Sequence, residues 1–170
     1  MGRALQKARL GVLLSMNAKG TQTAPDEATF VVWSDKYETG IELIDAQHKE
    51  LLVLINRLYK ACLAKGDGAD GEFRSAIHRM VDYVHFHFSA EVALLEKAGY
   101  PDVEDHKNHH DLLIKNILEA SRDYGRGNTY VPIKFVRMLR DWVFGHIAVQ
   151  DKVYAKYIAQ QKKNGLLGDI

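Results

Sequence analysis

The chain has 170 residues, of which 46% are apolar and 26% are charged, and this length and composition suit one globular domain with its own core. Its 23 basic and 22 acidic side chains leave a net charge of +1, which gives no reason to expect a nucleic-acid partner. No stretch approaches the roughly 18 to 20 apolar residues of a membrane-spanning helix, and the single cysteine, Cys62, favours a reducing, cytoplasmic setting.

The start of the chain lacks the pattern of a folded element. Basic residues precede a short apolar run, 10–16, an order similar to that of a signal peptide, but the run is marginal for that role. A true start at Met16 is an alternative explanation of the same residues. We predict three segments, namely a flexible N-terminal extension over 1–29, a helical domain over 30–160 and a C-terminal tail over 161–170.

Apolar residues then recur at steps of three and four along four stretches, which is the period of an amphipathic helix. The four stretches span 41–62, 73–94, 103–124 and 135–157. Gly99 ends the second, Asp102 is placed to cap the third, and Pro132 lies near the first turn of the fourth, whose stripe includes Val149 and Val153. Short connections between such helices predict an all-α, up-and-down antiparallel four-helix bundle.

Every stripe also carries ionisable residues at positions that face the bundle axis. These residues are His48, His87, Glu91, His106, His110, His146 and Asp151. Burying them without partners would cost several kcal/mol each, which a domain with a stability of roughly 5 to 15 kcal/mol cannot carry. Metal coordination would satisfy imidazole and carboxylate groups together. At about 100° per residue, His78 and His85 point to the far side of the second helix, and His109 lies on the flank of the line joining His106 and His110. We predict that these three histidines are not ligands.

The number and spacing of these residues favour two metals. His87 and Glu91, like His106 and His110, are separated by four residues, so each pair lies on one helix face. Five imidazoles and two carboxylates exceed what one metal accepts, whereas two metals that share the carboxylates would use the whole set. Iron suits these donors, with zinc as the main alternative and copper or manganese also compatible.

Four sequence pieces carry a resemblance to a known family. They are GIELIDAQHKELL around His48, HFSAE from His87 to Glu91, GYPDVEDHKNHH ending at His110, and WVFGHIAVQDKVY from Trp142. In this order they resemble the hemerythrins, and especially the single-domain bacterial ones, from Val32 to about Tyr157.

The resemblance implies a role for each candidate residue. One iron would be held by His106, His110 and His146, and the other by His48 and His87. Glu91, Asp151 and an oxo or hydroxo group would bridge the irons. Dioxygen would bind reversibly at the iron with fewer ligands, in an apolar pocket lined by Trp142, Val143 and Ile147. The implied function is oxygen storage, transport or delivery to an oxygen-requiring enzyme, without catalysis by the chain itself.

Three positions depart from the simplest expectation. Val92 follows Glu91 where family members often carry a second acidic residue, and we expect this change to leave iron binding intact. Val143 is small, which predicts a wider pocket and faster oxidation. Asp151 is five residues beyond His146, about 140° away on an ideal helix, so either a π-bulge or a reach from the edge of the apolar face is needed.

Three other functions fit parts of the pattern. Ferritin-like di-iron oxidases also use four-helix bundles, but their sites need Glu-x-x-His motifs, and this chain has only Asp45-x-x-His48. An oxygen or iron sensor would transmit occupancy to another protein, and here only the N-terminal extension could serve as an appendage. A purely structural bundle would have to bury the same polar residues without a metal.

Overall fold

The computed structural model describes residues 29–66, 68–127 and 131–168, and in this part of the chain the regular structure is entirely helical. The main helices are α1 (Glu42–Leu63), α2 (Ala69–Lys97), α3 (Val103–Gly125) and α4 (Val131–Gly145). A π-helical segment (His146–Asp151) continues α4 into α5 (Lys152–Lys163), and a short 3-10 turn (Asp35–Tyr37) precedes α1.

The helices pack as neighbours in a closed ring. Helix α1 contacts α2 and α4, α2 contacts α3, and α3 contacts α4. Gly99, with φ +63°, lets the chain leave α2, and the Tyr100 amide donates to the Leu95 carbonyl at 3.0 Å. Pairs of helices joined by such short turns must run in opposite directions. The predicted four-helix bundle is therefore confirmed.

The π-helical segment changes the register of the last helix. A π turn closes through i→i+5 hydrogen bonds and takes one residue more than an α turn. Val149 and Val153, predicted to lie on the buried stripe, are instead 57% and 51% exposed, so that prediction was wrong. The buried face continues one residue out of phase, through Asp151 and Tyr154.

The core has two apolar parts with a polar layer between them. The larger part fills one end of the bundle and includes Leu58, Phe73, Met80 and Leu139. The smaller part, at the other end, contains five buried residues, Leu95, Ala98, Tyr154, Ala155 and Ile158. The candidate ligands occupy the helix turns between the two, so both apolar parts separate them from the ends of the bundle.

An ordered segment before α1 is tied to the helices. The side-chain oxygen Oδ1 of Asn56 accepts hydrogen bonds from the backbone N–H groups of Phe30 and Val31 at 2.8 and 3.0 Å. Tyr37 is buried and stacks on Phe144 of α4 at a centroid distance of 4.8 Å. This segment therefore covers the flank of the bundle next to the π-helical segment.

The helix ends and the chain ends bear on several smaller predictions. Asp102 precedes α3, but its side chain makes no capping hydrogen bond. At the other end of the chain, helix α5 continues to Lys163. Apart from Thr29, the predicted N-terminal extension lies outside the described residues. None of the helices in the described ranges is long and apolar enough to cross a bilayer.

Candidate metal centre

The structure brings all seven predicted ligands into the polar layer of the bundle, where each is at most 4% exposed. Two groups of their donor atoms converge to within 4.8 Å of one another. The first group contains Glu91, His106, His110 and His146, and the second contains His48, His87 and Glu91. Glu91 belongs to both groups, so it stands at the point where two metal sites would meet.

Asp151 also lies between the two groups. Its Oδ2 is 3.2 Å from Nε2 of His48, and its Oδ1 is 3.1 Å from Nε2 of His146. The two oxygens of one carboxylate therefore face imidazoles of different groups. Of the two explanations for the five-residue spacing from His146, the structure has the π-helix, which places both residues on the same buried face.

The hydrogen-bonding state of these atoms tests whether they suit a metal. Within the described residues, the buried side-chain atoms without a hydrogen-bond partner include both ring nitrogens of His48, Nε2 of His106, Oε2 of Glu91 and both oxygens of Asp151. Unpaired buried polar atoms are rare and costly in folded proteins. Here they are concentrated at the positions that would coordinate a cation, so the donor set fits a metal pair.

Burial keeps the imidazoles in the form that binds metals. It lowers the pKa of His48 from 6.5 to about 3, with a further contribution from His87, and it lowers the pKa of His87 to about 4. Burial also lowers the pKa values of His110 and His146. These rings are therefore neutral near pH 7, with a lone pair available for coordination.

The two carboxyl groups behave differently in the metal-free protein. Burial, together with the nearby Glu91, raises the pKa of Asp151 well above its ordinary value. Burial opposes ionisation of Glu91 too, but His106 and His110 hold its pKa well below the ordinary value. These opposite shifts favour ionisation of Glu91 over ionisation of Asp151 in the metal-free protein, and a bound cation would favour the ionised form of both carboxyl groups.

Two buried residues that the sequence prediction missed contact the candidate ligands. Oε1 of Gln47 lies 2.9 Å from Nδ1 of His87, and because an amide oxygen only accepts, Nδ1 carries the proton and Nε2 stays free. The Tyr154 hydroxyl donates to Oε1 of Glu91 at 2.5 Å, and burial raises the pKa of Tyr154 well above its ordinary value. The sequence offers a weak signal for Gln47, a polar residue directly before a candidate ligand. It offers none for Tyr154, because the regular helical period places Val153 rather than Tyr154 on the buried face.

Aromatic and aliphatic side chains enclose the group that contains three histidines. The ring of Phe88 stacks on His110 with centroids 3.6 Å apart, and Trp142 stacks on His146 at 4.3 Å. Val143 and Ile147, predicted to line an oxygen pocket, are both 2% exposed and belong to the larger apolar core.

The three histidines predicted not to be ligands occupy different surroundings. His78 and His85 are exposed on α2. His109 is half-buried beside the site, with its ring centroid 6.4 Å from that of His146, and its Nδ1 has no hydrogen-bond partner in the described structure. None of the three belongs to the converging groups found among the described residues.

Comparison with known proteins identifies the family. A model of the hemerythrin HHE cation binding domain matches residues 39–158. The chain belongs to the hemerythrin family. A bacteriohemerythrin from Stenotrophomonas maltophilia is 34% identical over 128 residues, which cover 75% of this chain and 81% of that protein. One from Pseudomonas aeruginosa strain LESB58 is 36% identical over 124 residues, covering 73% and 78%.

The fold agrees with this assignment. A crystal structure of a wild-type hemerythrin matches with a TM-score of 0.67 and 27% sequence identity, over 76% of this chain and 98% of that one. Hemerythrin domains bind a non-haem di-iron centre, and the two donor groups here could hold two metal ions. The hemerythrin domain of this chain is therefore a di-iron, oxygen-binding domain.

Proposed function

We propose that the chain binds dioxygen reversibly and acts as an oxygen store or carrier, or delivers oxygen to an oxygen-consuming enzyme. The observation that supports this most is the unequal distribution of imidazoles around two shared carboxylates. Three histidines converge on one side of Glu91 and two on the other. The side with fewer protein donors is the proposed binding position for dioxygen.

Each of the seven residues has a proposed role. His106, His110 and His146 would hold one iron, His48 and His87 would hold the other, and Glu91 and Asp151 would bridge the two. When bound in its reduced form, the iron pair supplies the electrons that dioxygen takes up and returns on release. The protein contributes neutral imidazoles in fixed orientations and two carboxylates whose charge offsets that of the metals.

Reversibility requires that water stay out of the site. Trp142, Val143 and Ile147 are proposed to line the oxygen pocket, and Val143 and Ile147 are buried in the larger apolar core. The rings of Phe88 and Trp142 also cover His110 and His146, which would hold the other iron. Apolar surroundings limit the access of solvent and stray protons to a redox centre. Slow oxidation of the reduced pair is the expected result.

The donor set favours a carrier over an oxidase. Ferritin-like oxidase sites are rich in carboxylates, whereas five of the seven residues here are histidines.

Cys62 is half-buried, and burial raises its pKa to about 12, so the thiol stays protonated and unreactive. Cys62 is the single cysteine and cannot form an internal disulfide, and on that basis we propose that the protein lies in the reducing environment of the cytoplasm.

The proposal is tested by metal analysis combined with absorption spectra of the full chain under air and after degassing. We expect two irons per chain and a visible charge-transfer band that disappears on degassing and returns with air. Uptake limited to one dioxygen per iron pair supports a carrier. Continued oxygen consumption with release of peroxide or product would instead establish an oxidase.

Two neighbouring histidines provide a matched pair of variants. His110→Ala removes a proposed ligand, and we expect it to lose iron and the visible band. His109→Ala removes an imidazole one residue away that lies outside the converging groups, and it should keep both. Equal iron content in the two variants would contradict the proposed ligand set.

A further inference from the structure

The two oxygens of Glu91 have different surroundings. Oε2 faces the histidines and lies 3.0 Å from Nε2 of His110 and 3.3 Å from Nε2 of His106. Oε1 accepts the hydrogen bond from Tyr154 at 2.5 Å. Asp151 differs, because neither of its oxygens has a hydrogen-bond partner in the described structure. The two carboxylates shared by the metal groups are therefore not equivalent.

Tyr154 is held with its hydroxyl on Glu91. Its side chain is fully buried in the smaller apolar core, and its ring lies edge-on to His106 with centroids 5.4 Å apart. Leu95 and Ile158 in the same cluster offer no side-chain polar group. The phenol therefore reaches Oε1 of Glu91 from the smaller apolar core.

We propose that Tyr154 is a positioning residue that orients Glu91 between the two irons and tunes their reduction potential. This inference rests on the proposed function, in which Glu91 bridges the metals. A hydrogen bond to one oxygen fixes the rotation of the carboxylate and leaves Oε2 directed at the histidines. It also withdraws negative charge from the ligand, which favours the reduced, less positively charged metal pair.

Tyr157 provides a matched control on the same helix. It packs beside the same apolar cluster, but its hydroxyl donates to the Gly99 carbonyl at 2.9 Å rather than to a candidate ligand. Tyr154→Phe and Tyr157→Phe each remove one phenolic hydroxyl from this end of the bundle. Only the first removes a contact to Glu91.

The experiment titrates the metal-free full chain with Co²⁺ and measures the midpoint potential of the iron-loaded protein. We expect Tyr154→Phe to weaken Co²⁺ binding about tenfold, the lower end of the range for outer ligand contacts, and to make the potential more negative. Tyr157→Phe should leave both within twofold or within measurement error. Replacing Tyr154 by 3-fluorotyrosine, a more acidic phenol, should shift the potential in the opposite direction while keeping the ring.

Each outcome separates this inference from the proposed function. If the wild-type chain does not bind two metals, the proposed function fails and this inference fails with it. If it binds two, but Tyr154→Phe and the 3-fluorotyrosine protein leave affinity and potential unchanged, the positioning role alone is overturned. A phenolate-to-iron charge-transfer band lost in Tyr154→Phe would also overturn it, because Tyr154 would then be a ligand. Should Tyr154→Phe not fold, the 3-fluorotyrosine shift decides.

Discussion

At the scale of single residues, the contact between Gln47 and His87 determines which ring nitrogen can bind a metal. Both side chains are buried, and the 2.9 Å contact places the proton on Nδ1. Tyr83 contributes a further contact on the same turn, because its hydroxyl donates to the Gln47 carbonyl at 3.2 Å. Such outer contacts orient a ligand as well as selecting its tautomer.

Removing the acceptor at Gln47 should therefore weaken metal binding at His87. In Gln47→Leu the buried Nδ1–H loses its partner, which costs about 1 to 3 kcal/mol. We expect metal affinity to fall roughly 10- to 100-fold, measured by Co²⁺ titration of the metal-free chain. Gln47→Glu keeps an acceptor of the same length and should retain most of the affinity. Equal affinities in both variants would argue against the orienting role.

The size of Val143 should affect how fast the reduced centre oxidises. Its side chain is 2% exposed and lies in the larger core beside the proposed pocket. Val143→Leu adds volume there, and we expect slower autoxidation in stopped-flow measurements of the deoxygenated, reduced protein exposed to air. Overpacking a core typically costs about 1 to 3 kcal/mol, so the melting temperature should be recorded for the same samples. Identical oxidation rates would contradict the proposed pocket.

At the scale of secondary structure, the π-helical segment His146–Asp151 determines which residues of the last helix face the candidate metal centre. The extra residue in this turn keeps Asp151 on the same face as His146 despite the five-residue spacing. It also brings Tyr154, rather than Val153, to the buried side. π turns of this kind are rare and occur mostly at functional sites.

Two single-residue deletions test this interpretation. Deleting the exposed Val149 should convert the π turn into an ordinary α turn and leave His146 and Asp151 on one face, so two metals should still bind. Deleting the equally exposed Val153, beyond Asp151, should rotate the rest of α5 by about 100° and move Tyr154 away from Glu91.

The deletions are compared by metal content and thermal unfolding followed by circular dichroism. If deletion of Val149 abolishes metal binding and deletion of Val153 does not, the π turn itself is required for the metal site. Retention of wild-type stability on deletion of Val153 would contradict the assigned register of α5.

At the scale of the whole molecule, the buried polar layer makes the stability of the metal-free protein depend on pH. His48, His87, His110 and His146 have lowered pKa values, so between about pH 3 and 6.5 the unfolded chain binds more protons than the folded one. Stability then falls as pH falls. Asp151, with its raised pKa, contributes in the opposite direction, but it is one group against four.

We therefore expect the metal-free protein to lose stability on acidification from pH 7 to 5. Each of His48 and His87 should contribute about 1 kcal/mol per pH unit below 6.5. Urea unfolding at several pH values measures the change. Adding metal at pH 7 should raise the unfolding midpoint, since the ligand binds only the folded state. A metal-free protein whose stability is flat over this range would contradict the burial of neutral histidines.

Much of this molecule could be predicted from its sequence. The positions of the four helices and of the inward histidines follow from side-chain period, because the backbone geometry of a helix dictates which residues share a face. The seven polar residues could be grouped because burying them unpaired is too costly. Period also placed His78 and His85 on the surface, where the structure has them.

Other features depended on contacts between helices. The five-residue spacing of Asp151 left a π-bulge and a reach from the helix edge as alternatives, and the regular helical period predicted Val149 and Val153 as buried. The sequence also does not show that Tyr154 donates a hydrogen bond to one oxygen of Glu91, whereas neither oxygen of Asp151 has a hydrogen-bond partner in the described structure. The sequence alone determined the helices and the donor set, since both are encoded in local spacing. The orientation of those donors follows from the packing of the helices, because it depends on partners from other helices.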